Sequence, residues 1–223
     1  MDGGQWTVDG GQWTVDNQQS AVYGLRSTVN GQRSTDYSPS PVVGFTAEVT
    51  ALDGEVIRCK AGELGQKLAG WLYAKGAHSV LVPPGEGLPA GVRAALEEAG
   101  LRLMEAVLPA ADPARQERLE ALAAADAGVA VAAAGLASTG TAILSGERNQ
   151  PQTGSLLPPI SAVILREADI HRDLESFLGA GGGVFFSQKS ILTLMSGPSR
   201  TADIEMTLTI GVHGPGTVGV FLV

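Results

Sequence analysis

The sequence predicts an α/β domain with a mostly parallel sheet and helices on both faces, and three observations lead there. Short apolar runs such as Ser79-Val-Leu-Val82 and Ala162-Val-Ile-Leu165 are continuous rather than alternating, as in strands covered on both sides. Between such runs lie segments with apolar residues three and four apart, among them Leu64, Leu68, Trp71 and Leu72. Strand and helix patterns then alternate through most of the chain, which is the signature of successive β-α units.

The first forty residues stand apart. Gly3-Gly-Gln-Trp-Thr-Val-Asp9 repeats unchanged as Gly10 to Asp16, and Val22-x-Gly-x-Arg-Ser-Thr28 repeats as Val29 to Thr35. With few aliphatic residues, these repeats offer little apolar surface to offset chain entropy. Gly-Gly in every unit excludes a heptad coiled coil. The alternation Gln-Trp-Thr-Val leaves a short β-hairpin arm as one reading, and a poorly packed tail or a start codon placed too far upstream as the other. Ser38-Pro-Ser-Pro41 marks the boundary, giving a low-complexity segment over residues 1–41 and an α/β domain over 42–223.

From Phe45 the elements follow in order. Glu55 to Arg58 is a strand and Gly62 to Lys75 an amphipathic helix. Ser79 to Val82 is a strand stopped by Pro83-Pro84, and Leu88, Val92 and Leu96 mark a helix that ends at Gly100. Leu101 to Met104 is a strand. Asp112-Pro113 is a helix start, with the N-cap followed by proline at the first helical position. Val129 to Val131, Ala142 to Leu144 and Ala162 to Leu165 are strands. Ile170, Leu174, Phe177 and Leu178 place a helix before the glycines at 181–183.

Composition narrows the function. The 223 residues carry a net charge of -8 and a pI near 4.8, with no basic run, which argues against a nucleic acid or an anionic membrane as partner. The single Cys59 excludes an intrachain disulfide framework and cannot by itself hold a zinc ion or an iron–sulfur cluster. No basic residue precedes Arg26 and no apolar signal core follows the start, so a cytoplasmic protein is expected. The most apolar stretch, Ala121 to Ala137, is short for a membrane span and interrupted by Asp126. No Gly-x-Gly-x-x-Gly opens a helix, and Ala180-Gly-Gly-Gly183 lacks the lysine of a P-loop.

The densest set of loop glycines, prolines and ionisable groups lies between Met195 and Gly219. Ile191 to Met195 reads as a strand that stops at Gly197-Pro198. Ile204, Leu208 and Val212, four apart, predict a helix with Thr201 as N-cap and Asp203 in the first turn. A strand, a Gly-Pro-Ser-Arg loop and a helix N-terminus would face backbone N–H groups towards an anion. The loop is expected at the carboxyl end of the sheet, where such folds bind ligands. Arg200 would hold a carboxylate or phosphate with help from Ser199 and Thr201, or else pair with Asp203 or Glu205. His213 is a general acid or base, or a histidine favoured by the helix end. Thr139-Gly140-Thr141 offers hydroxyl and N–H donors, or a bulge that needs its glycine.

Gly197-Pro198-Ser199-Arg200-Thr201-Ala202-Asp203-Ile204-Glu205, with Gly211-Val212-His213-Gly214-Pro215, resembles the C-terminal signature of the LUD-domain proteins, the lactate-utilisation protein C (LutC) family. Thr139-Gly140-Thr141 and Ser155-Leu156-Leu157-Pro158 match further family segments, so that the resemblance covers residues 45–223. Arg148 lies where the family has an arginine-rich turn, which adds a second candidate anion contact. The resemblance implies a fold similar to the sugar-phosphate isomerases and CoA transferases. It also implies an accessory subunit of a lactate-oxidising system, with iron–sulfur clusters on partner subunits, none on this chain, and a crevice for an organic anion or a partner at Gly197–Glu205. The sequence departs from the family at Ser138, where relatives carry glutamate before Thr-Gly-Thr. A stand-alone transferase or isomerase acting on an acyl-CoA or sugar phosphate is the alternative, and whether the chain is an enzyme stays open at this point.

Overall fold

The computed structural model describes residues 7–9, 12–14, 40–109, 113–146, 153–189, 191–201, 209–211 and 213–223. The chain divides into two units, Met1–Ser38 and Pro39–Val223. In the first, β1 (Thr7–Asp9) and β2 (Gln12–Thr14) pair antiparallel with Val8 opposite Trp13, as a short hairpin.

The second unit opens with α1 (Pro41–Ala51), a helix that sequence reading missed although Pro41 sits in its first turn and Phe45 and Val49 repeat four apart. The order is then β3 (Glu55–Arg58), α2 (Leu64–Ala74), β4 (Ser79–Val82), α3 (Val92–Glu98), β5 (Arg102–Glu105), α4 (Ala114–Ala123) and β6 (Ala127–Val131). It continues with β7 (Ala134–Leu136), β8 (Thr141–Gly146), α5 (Thr153–Leu156), β9 (Ile160–Leu165), β10 (Ile170–His171), α6 (Leu174–Phe177) and α7 (Gly183–Gln188). It closes with β11 (Ile191–Met195), β12 (Arg200–Thr201), β13 (Thr209–Ile210) and β14 (Thr217–Leu222). The expected start of α4 at Asp112 lies outside the described residues.

Six strands form one fully parallel sheet in the order β3-β14-β9-β6-β4-β5. Leu64, Leu68 and Leu72 of α2 and Val92 and Leu96 of α3 pack with Val80, Val129, Ile164 and Phe221 on one face. On the other face Phe45 and Val49 of α1 meet Val163, Leu165, Val220 and Leu222, and Leu122 of α4 meets Leu81. Burying both faces is what allows the inner strands β4, β6, β9 and β14 to carry apolar residues in succession.

A second sheet, β10-β7-β8-β11, was not foreseen. Its β7-β8 and β8-β11 pairs are antiparallel, and Ala142, Leu144 and Met195 join the α1 side of the core. Ala142–Leu144, expected in the main sheet, belongs here. The helix expected from Ile170 begins at Leu174, because Ile170–His171 pairs with β7, and Asp173 caps it by accepting from the Ser176 amide at 2.8 Å. That helix also does not stop at the glycines. It widens into a π-turn over Leu178–Gly182, kinks at Gly181 (φ 104°) and resumes as α7.

Two contacts fix the middle of the parallel sheet. Asp126 accepts from the amides of His78 (2.9 Å) and Ser79 (2.8 Å) and from Ser79 Oγ (2.8 Å), and so joins the amino end of β6 to that of β4. At Gly128 the backbone of α5 lies so close that a Cβ would fall 1.6 Å from the Gly154 carbonyl oxygen.

Gly128→Ala should therefore destabilise the domain by about 3 kcal/mol or more, since Gly128 is held between two neighbouring strands and cannot draw back; urea denaturation measures this. The hydrogen bonds to Asp126, that from the His78 amide first, hold its carboxyl below the usual range. Such a group adds stability above its unfolded value, about 3.9, and loses it as pH falls through the lower folded one. Asp126→Ala should cost about 1–3 kcal/mol at neutral pH. In denaturation curves the gap to the wild type should narrow as pH falls below about 4.

Candidate functional site

The segments singled out by sequence gather around the carboxyl end of α1. Gly140 (φ 59°) turns the chain between β7 and β8 so tightly against α1 that a Cβ would stand 2.6 Å from the Val49 nitrogen. Glycine is obligatory there on two counts, conformation and space. Gly197 (φ 84°) makes a similar approach, with its Cβ position 3.1 Å from the Leu52 carbonyl oxygen.

Hydroxyls link the two turns. Thr139 Oγ1 lies 2.7 Å from Thr141 Oγ1, which lies 2.6 Å from Ser196 Oγ. Thr141 is buried while Thr139 and Ser196 are exposed, so the series runs from surface to surface through the seam between β8 and the loop after β11.

Arg200 completes the cluster. Its Nη2 donates to the Leu52 carbonyl at 2.8 Å and to the Asp53 carboxylate at 2.5 Å, across 147 positions of sequence. Leu52 follows the last residue of α1, so the guanidinium sits where the helix leaves carbonyls unpaired and where its dipole favours a cation. Asp53 takes a left-handed conformation (φ 61°) that Asp tolerates better than most side chains. The Asp-Gly pair at 53–54 is a turn signal that the sequence reading passed over, and its role as the partner of Arg200 carried no sequence signal.

Two expectations about this region are corrected. Thr201 is not a helix N-cap: β12 and β13 pair antiparallel, with Arg200 opposite Ile210 and Thr201 opposite Thr209. The Gly211 amide (φ 78° at Gly211) closes this ribbon by donating to the Ser199 carbonyl at 2.9 Å. Ile204, Leu208 and Val212, whose spacing suggested the helix, lie outside the described residues. The loop also lies at the amino rim of the parallel sheet, not the carboxyl rim. Ser199 N donates to Pro215 O, and Gly216 N and Thr217 N donate to Pro159 O, just ahead of β14 and β9. The reason is that β11 pairs with β8 in the second sheet, so its end says nothing about the direction of the six parallel strands.

Pro198 is buried beneath this loop, and His213 is exposed in the 213–216 turn, where Gly214 packs against Ser199. Arg148, Asp203 and Glu205 lie outside the described residues. The structure thus brings together Thr139, Gly140, Thr141, Gly197, Pro198, Ser199, Arg200 and Thr201 as a hydrogen-bonded seam.

Two hollows lie at the opposite rim. One, of about 200 Å³, opens between the carboxyl ends of β4 and β6 over Pro83, Pro84, Val131 and Ser145. The chain leaves β4 towards β5 on one side and β6 towards β9 on the other, so this is the point where strand order reverses and open parallel sheets leave a crevice. The second hollow, about 560 Å³, lies beside it over Val131, Ile164, Arg166 and Val223. Among the described residues no three His, Cys, Asp or Glu side chains converge as a metal site. None of the helices among the described residues is long and apolar enough to cross a membrane.

The chain is similar to several known proteins. A family model described as LUD domain matches residues 43–223. An uncharacterised protein of Neisseria meningitidis serogroup B is 36% identical over 90 residues, 40% of this chain and 39% of that protein. Lactate utilization protein C of Halalkalibacterium halodurans is 36% identical over 112 residues, 47% of each chain. The matches thus span less than half the length of these curated relatives. A crystal structure of a DUF162 family protein from Deinococcus radiodurans superposes with a TM-score of 0.58 at 22% identity, over 82% of this chain and 95% of that one. It supports the fold.

The Arg200 side chain is 29% exposed, so solvent weakens its ion pair. Arg200→Ala should lower stability by about 1 kcal/mol or less, lowering the thermal midpoint by about 2–4 °C and leaving the fold intact. Scanning calorimetry of the wild type, Arg200→Ala and Arg200→Lys reads this directly.

Proposed function

Because the chain belongs to the LUD domain family, we propose that it serves lactate utilisation, the two-electron oxidation of L-lactate to pyruvate, as an accessory chain. The similarity to lactate utilization protein C carries this reading. Iron–sulfur clusters that take the electrons then reside on partner subunits, since a cluster needs several thiolates and this chain has Cys59 alone.

Within that role the amino-rim seam is a docking surface for a cluster-bearing subunit. Arg200 engages a carboxylate and a carbonyl and is only 29% exposed, so it holds the loop and presents little of its guanidinium to a ligand. What the seam presents outward is Thr139, Ser196, His213 and Ile210, which is half exposed on β13. A rigid polar surface around an apolar contact suits recognition of a protein partner.

Purification of the tagged chain from native extract of lactate-grown cells should recover subunits with iron–sulfur absorbance. Thr139→Arg combined with Ile210→Arg should reduce that recovery several-fold while lowering the thermal midpoint by no more than about 5 °C. Recovery of the chain alone would sink the accessory role, and turnover of a CoA ester or a sugar phosphate by the isolated chain would favour the alternative enzyme. Saturable binding of lactate, pyruvate or phosphate lost in Arg200→Ala would restore the anion crevice.

A further inference from the structure

The larger hollow lies at the carboxyl rim, across the sheet from the seam, and the docking reading makes no use of it. Strands β6, β9 and β14 end at Val131, Leu165 and Leu222, and the residues at and just beyond these ends form its floor. Leu64 at the start of α2 forms a wall. At about 560 Å³ it falls in the range of small-molecule sites, roughly 300–1,000 Å³, whose walls are mostly apolar with few polar groups.

Its chemistry is unequal. Leu64, Val131, Ala133, Ile164 and Val223 supply hydrocarbon, and Arg166 and Asp169 are the ionisable side chains on its lining. Arg166 Nε donates to Asp169 Oδ2 at 2.6 Å and Nη2 to Oδ1 at 3.0 Å. A guanidinium has five N–H donors, and the second terminal nitrogen of Arg166 makes no hydrogen bond among the described residues. The side chain is 74% exposed at the rim, so an incoming carboxylate reaches it without displacing Asp169.

These features select a ligand class. A sugar phosphate would set hydroxyls against hydrocarbon with nothing to receive them, which is unfavourable. A three-carbon acid would meet the arginine but leave most of the wall bare. From the pairing of a long apolar wall with one arginine at its edge, we infer a binding site for an aliphatic monocarboxylate of medium chain length. The alkyl body lies along Leu64, Ile164 and Val223, and the carboxylate accepts from Arg166. This site is independent of the proposed partner surface, and either can fail without the other.

The test is isothermal titration of the full chain with octanoate, butanoate and octanol. Each buried methylene adds to affinity, so octanoate should bind at least about tenfold tighter than butanoate. Arg166→Ala should weaken octanoate about threefold and leave octanol unchanged, since a solvent-screened charged hydrogen bond is lost and the apolar contact kept. Ala133→Trp, at an exposed position on the lining, should fill the hollow and abolish binding of both. Ala90→Trp on the opposite lip provides a second filling variant should the first fail to fold. No saturable octanoate binding, equal affinity for octanoate and butanoate, undiminished binding by a folded filling variant, or undiminished octanoate binding by Arg166→Ala would each overturn the inference.

Discussion

Six strands that run in one direction give a sheet two unlike rims, and the placement of every functional candidate in this protein follows from that. At the carboxyl rim the strands hand over to loops and helix starts, and hollows open there because strand order reverses between β4 and β6. At the amino rim the chain arrives in tight turns. Those turns, at residues 52–54, 139–141, 159, 197–200 and 213–216, are packed against one another and against α1 rather than around a hollow.

The amino rim is held by complementary devices. Glycines at 140 and 197 allow backbone to touch backbone, hydroxyls join the turns in series, and Arg200 fastens the loop to the end of α1. Each contribution is modest, since the hydroxyl series is partly solvated and the ion pair is screened. Together they fix a surface in place, which is the requirement for recognising another protein with little ordering cost on binding.

Much of the architecture was legible in the sequence. Strands such as Ser79–Val82 announce themselves because burial on both faces makes Val80, Leu81 and Val82 apolar in succession, and α2 because its leucines recur with the helical period. What escaped depends on distant pairing. Nothing in Ile191–Met195 says that it runs antiparallel to Thr141–Gly146, and so the rim to which the Gly-Pro-Ser-Arg loop belongs could not be read. Nor does any local pattern tie Arg200 to Asp53. The motif residues were found, and most of those described do come together, but what they hold was misread as a helix start. The carboxyl-rim hollow left no mark because alanines and valines make up much of its lining.

The order of the sheet also governs how the domain is born. Strand β14 lies between β3 and β9, bonded to both, yet it is the last strand of the domain to leave the ribosome. Until it emerges, β3 has no neighbour and the edge of β9 stands open, so the nascent sheet cannot close. Joining segments more than 150 positions apart in one late step makes for slow assembly and a long exposure of sticky edges. Closure of the sheet therefore waits for the segment that carries β14.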